Sequence, residues 1–213
     1  MRRKGRAGFT LVEMLVVLGI LGILMATLSS GYLYVQKMAW QAHAQELVSN
    51  AAAALTLYLQ KESAWPSEIT NSDGEFNEDV CRVLQEHHLM DITTYKRDGD
   101  NLKYDGNGKP ELNTDSLDRF GLLDPWGRRI LKRNPDLTSI TDELRRHRIQ
   151  FRIDADYDGT VDATLGPIPL DSKVKGSAIA WSWGANGRDD SILGSGGSKR
   201  FLRECRISWS FGD

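Results

Sequence analysis

The sequence predicts an α+β protein. A long N-terminal helix, with a membrane half and an amphipathic half, packs on a small antiparallel sheet. Three observations carry this expectation. The cations Arg2, Arg3, Lys4 and Arg6 stand directly before an apolar run over residues 14–28. No proline occurs before Pro66, and Ala, Leu, Gln and Glu dominate the stretch between, which favours helix. From Ile149 onward, short alternating segments are punctuated by Gly and Asp clusters, the pattern of strands and turns.

The helix is expected over residues 9–62, about 80 Å at 1.5 Å rise per residue. Its first part is apolar all round, with Gly19 and Gly22 offering small faces for close helix contact. The four cations place the N-terminus on the cytoplasmic side. Glu13 is the lone carboxylate of this part. A buried charge in hydrocarbon is costly enough to mark a functional position. Ser29-Ser30-Gly31 is the weakest helical stretch. Beyond Tyr32, Ala44, Val48, Ala51, Leu55 and Tyr58 recur at helical spacing, with Leu47, Ala54 and Leu59 alongside, a stripe suited to a sheet. Trp65-Pro66 ends the helix.

Residues 67–76 read as loop. A second helix is expected over 77–90, with Asn77 as N-cap and Glu78 and Asp79 in the first turn. Residues 98–113 are polar and Gly-rich and read as turns. Asp124-Pro125-Trp126-Gly127 reads as a tight turn before a short strand over 128–131, and 136–148 as a charged helical or loop insertion. Strands follow over 150–153, 161–165, 174–183 and 200–211, with a glycine-rich loop over 184–199.

The opening stretch resembles the class III signal of type IV prepilins and type II secretion pseudopilins. It has a short basic leader, Gly8, Phe9-Thr10-Leu11, and Glu13 five residues past the implied cut between Gly8 and Phe9. The resemblance implies that a prepilin peptidase removes residues 1–8 and methylates the new amino terminus at Phe9. It further implies a pilin-like fold, with a transmembrane and assembly helix over 9–31 and a periplasmic domain over 32–213. The Asp-Pro-Trp-Gly turn is similar to one found in major pseudopilins between helix and sheet. The chemistry of assembly is direct: the Phe9 ammonium of one subunit and Glu13 of its neighbour pair, which lowers the cost of leaving either charge in lipid. The implied partners are copies of this chain joined through their N-terminal helices, other minor pseudopilins, the prepilin peptidase and an inner-membrane assembly platform. An ordinary signal peptide needs an Ala-x-Ala-like cut, for which Ala26-Thr27-Leu28 is a poor substitute. A simple signal anchor needs neither Gly8-Phe9 nor Glu13.

Of 27 basic and 29 acidic residues, four cations lie in the leader and one acid is Glu13, so 23 stand against 28 in the remainder. A mildly acidic domain argues against nucleic acid as a partner. Cys81 and Cys205 lack metal-site spacing. In an oxidising compartment they either pair or stay as buried thiols.

Asp154, Asp156, Asp158 and Asp162 alternate around Gly159, the arrangement of oxygen ligands and sharp turn that suits Ca²⁺. The four carboxylates and the Thr160 carbonyl are the candidate ligands. Leu165 at the twelfth place excludes a regular EF-hand, and an Asp-rich solvated hairpin is the plainer alternative. A second candidate follows from the pseudopilin resemblance. Ser182-Trp183-Gly184-Ala185-Asn186-Gly187 echoes the family's calcium loop with Asn in place of Asp, and Asp189 and Asp190 stand in for the missing carboxylate.

No enzyme is expected. His43, His87, His88 and His147 are scattered without zinc spacing, and the 194–199 glycine-rich stretch lacks a phosphate-binding ending. The expected function is that of a structural subunit of a type II secretion-like pseudopilus, spanning the inner membrane once and assembling into a periplasmic filament. The alternatives are a type IV pilin or minor pilin, or a membrane-anchored calcium-binding module that never polymerises.

Overall fold

The computed structural model describes residues 11–162, 173–187 and 206–208. Chain compactness divides it into residues 1–39 and 40–213. A continuous helix, α1, runs over Leu11–Glu62, and the expected processing positions Gly8 and Phe9 lie outside the described residues.

In the first unit, the large apolar side chains of α1 are exposed, from Leu11 at 81% to Met38 at 51%. This helix is long and apolar enough to cross a membrane. A contiguous apolar surface of this kind needs lipid or other helices to cover it.

In the second unit, the expected stripe is buried. Ala44, Val48, Ala51 and Leu55 are fully enclosed, and Leu47, Ala54 and Tyr58 nearly so. The alanines let the helix backbone approach the sheet closely, and Phe151 and Ala180 meet the stripe from the strands. Gln45 Nε2 also donates to the carbonyl of Ile207 at 2.7 Å. The chain therefore has a long N-terminal helix packed on a small antiparallel sheet, as its sequence predicts.

That sheet has the order β3–β6–β7, with β3 over Gln150–Ile153, β6 over Ala178–Ser182 and β7 over Arg206–Ile207. Phe151 pairs with Ala180 and Gln150 with Trp181. The period-2 alternation therefore sends Phe151 and Ala180 toward α1, while Trp181 joins Val161, Ile179 and Trp183 in a second cluster. Two short antiparallel pairs stand apart: β1 (Arg97–Asp98) with β2 (Asn101–Leu102), and β4 (Thr160–Asp162) with β5 (Lys173–Lys175).

Several expectations need correction. The stretch read as one strand over 174–183 is two, β5 and β6, which belong to different sheets. Gly176 at φ +144 turns the chain between them, a conformation open to glycine. The strand β4 pairs with β5, so it does not answer β3. Residues 67–76 include a helical turn, α2, over Ser67–Thr70. The second main helix, α3, covers Glu78–Glu86, with Asn77 Oδ1 accepting from the amide of Val80 as the sequence predicts.

The largest correction falls at 124–131. The Asp-Pro-Trp-Gly stretch does not turn into a strand; it opens a helix, α4, over Pro125–Arg133. A charged helical turn, α5, spans Asp142–Arg145, capped by Thr141. Helices α4 and α5 share a third cluster made of Phe120, Leu123, Leu131 and Leu144.

Candidate functional site

Three places carry chemistry. The first is the start of α1. Glu13 lies at the head of the described helix, and the neighbouring side chains from Met14 through Leu18 are apolar and exposed. An acid at this point is costly to the apolar surroundings that the helix demands.

The second is the Asp-rich loop between β3 and β4. Carboxylate oxygens of Asp154, Asp156 and Asp158 lie within 4.8 Å of one another. Asp162 lies on β4 opposite Lys173, outside that group, so the loop gathers three of the four expected carboxylates. Asp154 is buried and organises the loop: its oxygens accept from the amides of Asp158 at 3.1 Å and Gly159 at 2.8 Å. Asp158 accepts from the Thr160 hydroxyl and amide and from Lys173 Nζ at 2.8 Å. The Lys173 bond, then the two Thr160 bonds, hold the Asp158 carboxyl down at about 2.

This loop is docked on the end of α1. Trp65 Nε1 donates to the Asp154 carbonyl at 2.8 Å, and the Trp65 amide to the Tyr157 hydroxyl at 3.1 Å. Tyr157 has φ +59, an uncommon left-handed conformation for a non-glycine residue. Tyr58 stacks on Trp65 with centroids 6.4 Å apart. The donor set is hard oxygen and anionic, which suits Ca²⁺. Lys173, however, already neutralises one of the three carboxylates.

The third place was not expected from the sequence. Asp124 is completely buried. Its Oδ1 accepts from the Gly127 amide at 2.8 Å, capping α4, and Pro125 occupies the first helical turn, where a missing N–H costs nothing. Its Oδ2 accepts from Ser182 Oγ at 2.9 Å, and His147 Nδ1 lies 3.2 Å from Oδ1. Gly127 is required here because a Cβ would come within 2.7 Å of the His147 Cβ. Trp126 meets Trp40 of α1 edge-on, centroids 6.3 Å apart. Each residue of the Asp-Pro-Trp-Gly stretch thus ties α4 to a neighbour or starts the helix.

Ser182, Asp124 and His147 are the residue types of a hydrolase triad, but the order is wrong. The serine hydroxyl donates to the aspartate, whereas nucleophilic attack needs it to donate to the histidine base, and all three are buried. The cluster is a structural joint. Its local signal was available, since Asp followed by Pro is a helix-start pattern. Nothing local pointed to Ser182 or His147.

Cys81 is a free thiol enclosed in the main core, and burial pushes it up to about 12. Cys205, the other member of the possible disulfide, lies outside the described residues, as do Asp189 and Asp190. The start of their loop is described: a 3₁₀ turn over Gly184–Asn186, with the Gly184 amide donating to Ser182 Oγ at 3.1 Å.

Residues 3–29 match the family model described as the prokaryotic N-terminal methylation motif. This segment contains Gly8, Phe9 and Glu13. No curated protein sequence matches the chain, and no solved structure does. The chain thus carries a prepilin-type methylation motif at the head of a long apolar helix.

Proposed function

We propose that this protein is a structural subunit of a type II secretion-like pseudopilus. It enters the inner membrane through α1, loses residues 1–8 to a prepilin peptidase, is methylated at Phe9, and polymerises through its N-terminal helices into a periplasmic filament. The observation that carries this reading is Glu13. It is an acid inside the methylation motif and at the start of an apolar helix that leads directly into the core of the globular unit. Pairing with the Phe9 ammonium of a neighbour lowers the cost of leaving that acid in lipid, so the bilayer favours the assembled state. In this reading the globular unit acts as a coat, and the Ser–Asp–His group among the described residues serves as a buried structural joint.

The test is the intact mass of the protein recovered from membranes of cells that contain a prepilin peptidase. A chain beginning at Phe9 with one added methyl supports the reading. A full-length chain, or one cut after Leu28, overturns it.

Ca²⁺ is part of the proposal as a stabiliser of the Asp-rich loop. Asp154, Asp156 and Asp158 supply the carboxylates, and the ion competes with Lys173 for Asp158. With a dissociation constant of ~10⁻⁴ M, 5 mM Ca²⁺ stabilises the folded state by about 2 kcal/mol. An unchanged melting temperature in Ca²⁺ removes the metal from the proposal.

A further inference from the structure

The globular unit carries opposite charge at the two ends of its part of α1. That part runs from Trp40, where the unit begins, to Glu62, where the helix ends, a rise of about 33 Å at 1.5 Å per residue. At the Trp40 end, Arg129 lies over the Trp40 ring at 4.9 Å, and Trp126 meets the same ring edge-on. Lys132 and Arg133 follow Arg129 at helical spacing on one face of α4, and all three are exposed. Arg128 is bound to Asp118 at 2.7 Å, but among the described residues no ion pair engages the other three.

The Glu62 end is acidic. Glu62 pairs with His87 at 3.3 Å, and Glu68 and Glu86 hold Arg82 between them at 3.1 Å and 3.2 Å. Burial, then the fields of Glu62, Glu68 and Glu86, push the Tyr58 hydroxyl above its usual value. The Asp-rich loop docks on the same end through Trp65, bringing Asp154, Asp156, Asp158 and, just beyond, Asp162. Seven carboxylates there stand against the cations Lys61, Arg82, Lys173 and Lys175, so acid is in excess.

A basic face at one end and an acidic face at the other are too far apart to meet within one chain, but they fit head to tail between two. Such a contact is heterologous and, where its rotation does not close a ring, builds an open filament. Exposed ion pairs add little to affinity; complementary fields instead fix register and exclude wrong partners. We propose that the basic face of α4 in one copy, Arg129, Lys132 and Arg133, docks on the acidic end of the next copy, at Glu62, Glu86 and Asp156. Both faces lie in the globular unit. The contact rests on the filament reading above and adds to it a register between globular units.

The experiment treats sheared filaments of the full chain, from cells that contain a prepilin peptidase, with a zero-length carbodiimide, which joins lysine to carboxylate only where the two touch. The cross-linked dimer is digested, and its linked peptides are identified by mass spectrometry. The expected result is a link from Lys132 to Glu62, Glu86 or Asp156, found in the dimer and not in the monomer. Lys132→Arg should remove the link while keeping the charge and the filament. The double change Lys132→Glu with Arg133→Glu should lower filament yield about tenfold, because like charges then face each other. Filaments that form without such a link, or that join Lys132 to acids elsewhere, overturn the contact and leave the filament reading standing. A yield unchanged by the double reversal also overturns the contact. Absence of filaments from the parent chain overturns the filament reading, and the contact with it.

Discussion

Ser182 Oγ donates a hydrogen bond of 2.9 Å to Asp124 Oδ2 in the sealed interior of the globular unit. The two residues are 58 positions apart, and the bond joins the end of β6 to the N-terminus of α4. The same carboxylate caps α4 through Gly127 and faces His147. One side chain thus anchors three elements to each other.

Asp124→Ala should therefore cost more than an ordinary helix cap. Loss of the cap, an unsatisfied Gly127 amide and the loss of the Ser182 hydroxyl's acceptor together predict about 3 kcal/mol of destabilisation. Asp124→Asn keeps an acceptor for the Gly127 amide and should lose less. Urea unfolding of the detergent-solubilised chain measures both, and equal losses would mean that the charge, not the acceptor, matters.

Gly121 has φ +92, and a Cβ there would collide with the carbonyl oxygen of Phe76. That oxygen also accepts from the Leu122 amide at 2.9 Å, so the backbone cannot withdraw without breaking a bond. Gly121→Ala should destabilise by about 2 kcal/mol or more. Gly106→Ala, where nothing lies within 4 Å, is the control. A similar loss at both positions would refute the close-approach argument.

The Asp158–Lys173 contact makes a pH prediction. The folded carboxyl is held at about 2 against 3.8 for an ordinary aspartate. A depressed folded value means the unfolded chain takes up a proton first as pH falls. The contribution is thus complete above about pH 4 and is lost as the pH drops through 2. Lys173→Met should move the Asp158 titration back up, toward 3.8. Carboxyl NMR of the chain through this range measures the shift; a titration unmoved by the substitution would mean that Thr160 alone sets it.

Glu13→Ala removes the one acid from the apolar segment and makes membrane insertion cheaper, by about 2–3 kcal/mol at most on insertion scales. Insertion should persist while filament formation fails, because the Phe9 ammonium of a neighbour loses its partner. Sedimentation of sheared filaments against the membrane-bound pool reads the two effects separately. Normal filament yield would show that the pairing does not drive assembly.

Much of this was readable from single stretches. Apolar residues at three- and four-residue spacing marked the face of α1 that packs on the sheet, and Ala44, Val48, Ala51 and Leu55 are all buried there. Asn77 is an N-cap in the sequence and in the structure. The methylation motif is contiguous, so the processing signal needs no fold to be seen. The same holds for Asp154, Asp156 and Asp158, which local alternation around a glycine brings within one loop. These features depend on neighbours within a turn or a loop, where chain geometry alone sets which side chains meet.

The tertiary structure decided what depends on distant partners. The same residues 124–131 suit a turn and strand or a capped helix. Helix wins because Leu131 finds Leu123 and Leu144, and Trp126 finds Trp40. The division of 174–183 between two sheets follows from which strands were present to pair with each half. Ser182 and His147 acquire their roles only when β6 and the end of α5 close on Asp124. A buried carboxylate must be satisfied by whatever donors the fold brings to it, and no spacing along the chain specifies those donors.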